Sequence, residues 1–170
     1  MRRGLGSELD LKVLVFSDSH GVLDYMIAAV EREQPDHILH LGDYWQDARE
    51  LRSIYPEIPL DGVPGNCDWA ADAPLERVLT LAGCRIAFCH GHTRRVKVSY
   101  RELIDFGETV KADVVLCGHT HRPHYEQRGP LHVLNPGSVG WGAPTCALLR
   151  LAEGEVIPDI ISPIDGTSVL

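Results

Sequence analysis

Apolar residues cluster along this chain in two rhythms. Unbroken runs at 13–16 (Val-Leu-Val-Phe) and 114–117 (Val-Val-Leu-Cys) have strand length and read as strands buried on both faces. Residues 38–41 read as a further strand. Leu23, Met26, Ile27 and Val30 instead recur at helical spacing and predict an amphipathic helix ending before Pro35. A second helix is predicted over 46–54, and a third from Tyr100, Leu103, Ile104 and Val110. A short strand ends at Gly62-Val63. Residues 78–81 and 85–89 flank Ala82-Gly83 and read as a hairpin; 124–127 and 131–134 flank Arg128-Gly129-Pro130 and read as another. Strands over 145–151 and 156–160 complete the pattern. The first half alternates strand and helix, which implies parallel pairing, whereas the second half is rich in hairpins. The expectation is an α/β fold with two mixed β layers and helices outside, in one domain over residues 1–170.

Composition narrows the setting. No apolar run is long enough for a membrane-spanning helix. Met1-Arg2-Arg3-Gly4 looks faintly like the start of an export signal, but no apolar stretch follows it, so export is not expected. The five cysteines are odd in number and form no CxxC pair, which favours a reducing, cytoplasmic setting over a disulfide framework. A net charge of −8 argues against broad binding to nucleic acid or anionic membrane. It leaves room for a local positive site. Residues 1–10 and the tail from Ser162 carry no recognisable chemistry and are expected to be loosely held or to serve in packing.

The chemistry gathers at strand ends. Ser17-Asp18-Ser19-His20-Gly21 follows the first strand, Gly42-Asp43 the second, and Gly65-Asn66-Cys67-Asp68 the third. His90-Gly91-His92 follows the strand at 85–89, and Gly118-His119-Thr120-His121 follows 114–117. Ligands in such sheets bind beyond the carboxyl ends of the strands. Residues i and i+2 leaving a strand point the same way, so Asp18 with His20, and His119 with His121, are spaced to chelate one ion. Mixed Asp, Asn and His donors suit Mn, Fe, Ni, Co or Zn better than Ca, which prefers oxygen alone. Each piece has a plainer reading. Asp18 to His20 would also serve as a helix cap, Gly42-Asp43 as a turn, and the two later histidines as polar residues leaving a buried strand. Five of the nine histidines in three short strand-end motifs favour a metal centre over these coincidences.

These five motifs, in this order, resemble the calcineurin-like metallophosphoesterase superfamily, whose pattern is DxH, GD, GN, HG or HGH, then GHxH. The match runs over about residues 12–150. Chain size, the Gly65-Asn66-Cys67-Asp68 variant and Asn135-Pro136-Gly137-Ser138 look most like its YfcE-like phosphodiesterase subgroup. The resemblance implies a four-layer α/β/β/α sandwich of two mixed sheets flanked by helices, with a binuclear site. By that resemblance, Asp18, His20 and His121 hold one metal, and Asn66, His90 and His119 a second. Asp43 bridges the two, together with a hydroxide that attacks the phosphoester in line. Mn is the first expectation for both ions, with Ni, Fe, Co and Zn as alternatives. His92 is placed near the site. Two divalent cations against two carboxylates and one hydroxide leave a net positive centre that attracts a phosphoester anion.

Many relatives carry a histidine after the GN asparagine, thought to protonate the leaving group. Cys67 stands there instead, and a thiol of ordinary pKa (about 8.5) is a poor donor. Cys67 is expected to pack as a small residue behind the metals, with a nucleophilic role as the minor alternative. Asp68 then becomes the group expected to order a water or to give up a proton itself. The candidate catalytic groups are thus Asp43, Asn66, Asp68 and His92. Arg94, Arg95 and Arg122 follow the histidine motifs and read first as surface charge, second as a grip for phosphate. The expected function is a metal-dependent phosphodiesterase acting on a small phosphoester and preferring good leaving groups. The alternatives are a catalytically weak interaction protein that keeps the fold, or a phosphomonoesterase or nucleotide pyrophosphatase using the same site. No partner face is marked, although a homo-oligomer is compatible.

Overall fold

The computed structural model describes residues 10–170; the expectation for residues 1–9 lies outside the described residues. The elements run β1 (Leu11–Phe16), α1 (Asp24–Glu33), β2 (His37–His40), α2 (Trp45–Ile54), β3 (Leu60–Gly62), β4 (Glu76–Leu81) and β5 (Cys84–Cys89). They continue through α3 (Arg101–Thr109), β6 (Val114–Leu116), β7 (Pro123–Arg128), β8 (Leu131–Pro136), β9 (Cys146–Ala152) and β10 (Glu155–Ile161). One 3₁₀ turn at His92–Arg94 was not expected from the sequence. Among the described residues no helix is long and apolar enough to cross a membrane.

The strands form two five-stranded sheets, ordered β10-β9-β1-β2-β3 and β4-β5-β6-β8-β7. Both are mixed. β1, β2 and β3 pair in parallel, as do β5, β6 and β8, while β4, β7, β9 and β10 pair antiparallel to their neighbours. Alternation along each strand builds the layers. Val13 and Val15 of β1 enter a core shared with Ile86 and Phe88 of β5, between the sheets. Leu14 and Phe16 point the other way, onto Met26, Ala29 and Val30 of α1 and Ala48 and Leu51 of α2. Ala87 and Cys89 of β5 face Leu103 and Phe106 of α3. A run that is apolar at every position thus serves two cores, which gives the expected α/β/β/α sandwich. The tail from Ser162 packs: the Arg32 guanidinium donates to the Ser162 and Pro163 carbonyls at 3.2 and 2.8 Å.

Candidate metal centre

The carboxyl ends of the parallel strands of both sheets meet at one rim. Hydrogen bonds stitch their loops together across the sheets. His90 Nδ1 lies 2.8 Å from the Leu41 carbonyl, the His119 amide donates to Asp18 Oδ2 at 3.0 Å, and the Val139 amide donates to the Ser17 carbonyl at 3.1 Å. The first helix begins only at Asp24, with Leu23 as its cap residue and no side-chain cap. Asp18 and His20 are therefore not serving as a cap.

Two donor groups result. Asp18, His20, Asp43 and His121 each bring a ligand atom within 4.8 Å of the others, and so do Asp43, His90 and His119. Asp43 belongs to both, as a bridging carboxylate must. Asn66 joins the second group, its Oδ1 lying 3.1 Å from His90 Nε2. All seven residues expected as ligands therefore gather at one place. Asp18 Oδ2 accepts from Ser17 Oγ at 2.6 Å and from the His119 amide, whereas Asp18 Oδ1 is buried and has no hydrogen-bond partner. It lies 3.1 Å from His121 Nε2 and 3.9 Å from His20 Nε2, which is itself buried and unpartnered. Buried polar atoms left bare are costly, and several bare acceptors aimed at one point fit a cation. The contact of His90 Nδ1 with a carbonyl orients the ring so that Nε2 faces Asn66 and Asp43 of the second donor group.

Five of these residues, Asp18, His20, Asp43, His119 and His121, have φ between 47° and 69°. That left-handed region is disfavoured for residues with a Cβ, and its concentration here marks a functional site. Burial alone would raise the pKa of Asp43. The His90 imidazole, as hydrogen-bond partner and charge, and the Cys67 amide outweigh it and hold Asp43 below the usual carboxylate range. For His119, burial and then the charges of His90 and Lys97 push the pKa down to about 4, which keeps the ring neutral and available as a ligand.

The remaining expectations divide. His92 stands beside the second group, 5.5 and 6.1 Å between ring centroids from His90 and His119, with its Nδ1 buried and unpartnered. Asp68 is occupied elsewhere. Its Oδ2 accepts from the Asp43 and Gly65 amides at 3.0 and 2.8 Å, and its Oδ1 from those of Tyr44 and Trp45 at 3.0 and 2.8 Å. A carboxylate at the start of α2 meets bare amides and the positive end of the helix dipole. This arrangement gives Asp68 a capping task. Cys67 is exposed, not packed behind the site. Partial desolvation of the thiol and then the charge of Asp43 raise its pKa, which disfavours a thiolate nucleophile. Its amide is what matters, donating to Asp43 Oδ1 at 3.0 Å.

One supporting residue escaped the sequence reading. His40, fully buried at the end of β2, lies 2.9 Å from Ser19 Oγ through Nε2 and accepts the Gly42 amide at Nδ1 at 3.2 Å. It ties the Asp18–His20 loop to the Gly42-Asp43 loop. A histidine set among the apolar residues Ile38, Leu39 and Leu41 was the available signal.

A family profile for the calcineurin-like phosphoesterase superfamily domain matches residues 11–154. The probable metallophosphoesterase YsnB of Bacillus subtilis is 35% identical over 133 residues, spanning 76% of this chain and 75% of that protein. The phosphodiesterase YfcE of Escherichia coli K12 is 38% identical over 91 residues, which cover 45% of this chain and 42% of that protein. The solved structure of a predicted phosphoesterase from Streptococcus pneumoniae TIGR4 superposes with a TM-score of 0.74 at 25% identity, covering 94% of this chain and 95% of that one. With its five ligand-bearing loops on this sandwich, the chain belongs to the calcineurin-like phosphoesterase superfamily.

Proposed function

We propose that this protein is a binuclear metal-dependent phosphodiesterase acting on a small phosphoester. The observation that carries the reading is the shared carboxylate: Asp43 belongs to both donor groups, and Asp18 Oδ1 and His20 Nε2 stand bare beside it. Asp18, His20 and His121 would hold one ion, Asn66, His90 and His119 the other, and Asp43 both. Mn is the favoured metal. Two such cations supply positive charge for phosphoryl oxygens and lower the pKa of a water between them. The chain's own residues set the rest. Asp68 fixes the loop that presents Asp43 and Asn66. His92 borders the second donor group and is the imidazole placed to meet a substrate oxygen there. No side chain takes up the general-acid position at residue 67, so esters whose leaving group departs without a proton are the best substrates.

With Mn supplied, bis(p-nitrophenyl) phosphate is expected to be hydrolysed faster than p-nitrophenyl phosphate. Asp43→Asn is expected to lose both metals together, read by metal analysis, and to lower kcat/KM at least about 100-fold. A metal-loaded protein inert towards both esters would overturn the enzymatic reading and favour an interaction protein on the same fold.

A further inference from the structure

Of the three arginines beside the histidine motifs, two are neutralised. Arg94 makes a two-point ion pair with Glu76, its Nε and Nη2 donating at 2.7 and 2.8 Å, and lies over the Phe106 ring. Arg95 pairs with Glu102. Arg122 has no carboxylate partner among the described residues, and neither does Lys97. Both exposed side chains line one cavity of about 570 Å³, together with Val96, Tyr100, Thr120 and His124. In a chain of net charge −8, two unpaired cations at one cavity are an anion's address.

The cavity adjoins the metal centre through both of its walls. One wall continues the His90-Gly91-His92 loop through Val96 to Lys97. The other is Thr120 and Arg122, on either side of the ligand His121. The walls are braced. The amide nitrogen of buried Asn135 lies 2.9 Å from the Gly118 carbonyl, 3.0 Å from Thr120 Oγ1 and 3.2 Å from the Tyr100 hydroxyl. Tyr100 stacks on His124 with centroids 4.4 Å apart and planes 9° apart, giving the cavity a flat aromatic side. Asn135 belongs to the Asn-Pro-Gly-Ser stretch, which supplies no expected metal ligand, and this is a task for it.

We propose that this cavity is a second anion subsite, and that the substrates of the metal centre are phosphodiesters carrying a further phosphate on one ester arm. The inference rests on the phosphodiesterase reading above. Lys97 and Arg122 bind the distal phosphate while the metal centre takes the scissile one. The cavity's volume admits more than a phosphate alone, so the aromatic wall meets the carbon framework between the two.

Two measurements test it. In the first, kcat/KM is compared for thymidine 5′-(p-nitrophenyl phosphate) and for the same diester bearing a 3′-phosphate. The wild type is expected to prefer the phosphorylated diester at least about 10-fold, and Lys97→Ala/Arg122→Ala to bring the ratio close to one. In the second, thymidine 3′,5′-bisphosphate is titrated into chelator-treated, metal-free protein by calorimetry. Binding is expected to weaken at least about 10-fold in the same double variant, and on raising salt. Equal use of both diesters with unchanged bisphosphate affinity overturns the subsite. Absence of hydrolysis with affinity still lost in the variant leaves the subsite standing and removes the phosphodiesterase reading.

Discussion

His40 is fully buried, and burial pushes its pKa from 6.5 down to about 4. Asp68 and Asp43 pull the other way by charge, while His90 and His20 add to the depression. The unfolded chain takes up this proton below about pH 6.5, the folded chain only near pH 4. Its contribution to stability is therefore complete above pH 6.5 and lost as pH falls towards 4, on the order of 2–3 kcal/mol. His119 shifts in the same direction, so the informative quantity is a difference. Denaturant midpoints of metal-free protein from pH 4 to 7 are expected to fall less steeply in His40→Asn than in the wild type, with the variant less stable at neutral pH. Parallel profiles would mean that His40 keeps its proton in the fold. Trp141 offers a second residue-scale measurement. It is exposed, and its ring lies 6.4 Å from that of His121. Adding Co or Ni is expected to quench tryptophan fluorescence, and Trp141→Phe to remove most of that quenching, which reports binding without any turnover.

At the scale of elements, the site depends on loops that touch each other without side chains between them. A Cβ on Gly118 would overlap Ser17 Oγ, and one on Gly65 would overlap the Asp43 carboxylate. The β6 end therefore comes close enough for the His119 amide to reach Asp18, and the β3 end close enough for the Cys67 amide to reach Asp43. Gly118→Ala and Gly65→Ala are each expected to cost about 1–3 kcal/mol of stability and to weaken metal binding at least about 10-fold. Near-normal metal affinity in both, by titration, would show that the loops have slack. The helices respond to the same junctions. α2 has no side-chain cap of its own residues and takes Asp68 from the loop after β3 instead. The element pattern itself was plain in the sequence, because strands apolar at every position alternate with helices of regular spacing. The capping of one element by a residue from a loop far along the chain was not, since nothing near Asp68 records which amides it meets.

Across the whole molecule, two sheets hold seven donor residues at one rim while the chain carries net charge −8. Asp18 and Asp43 bring their carboxylates together among imidazoles, a donor set that divalent cations would satisfy. Metal at 100 times its dissociation constant is expected to stabilise the fold by about 2.7 kcal/mol and to raise the melting temperature by about 5–10 °C. Differential scanning calorimetry with Mn and then with chelator checks it; an unchanged transition would mean that no ion binds the native state.

The sequence by itself determined the layers and the candidate ligands. Periodicity decides which face of each strand is buried, residues i and i+2 at a strand end share a direction and so pair Asp18 with His20 and His119 with His121, and the resemblance of the five ordered motifs adds Asp43, Asn66 and His90 as the other expected members of one centre. Tertiary structure alone decided what surrounds them. Whether Asp68 holds amides or a substrate proton, whether Cys67 is packed or exposed, and which of Arg94, Arg95 and Arg122 keeps a free charge all depend on the nearest neighbour in space. Hydrogen bonds and ion pairs act over a few ångströms, and the partners that satisfy them arrive from 18 to 25 residues away along the chain, as for Arg94 with Glu76 and Asp68 with Asp43.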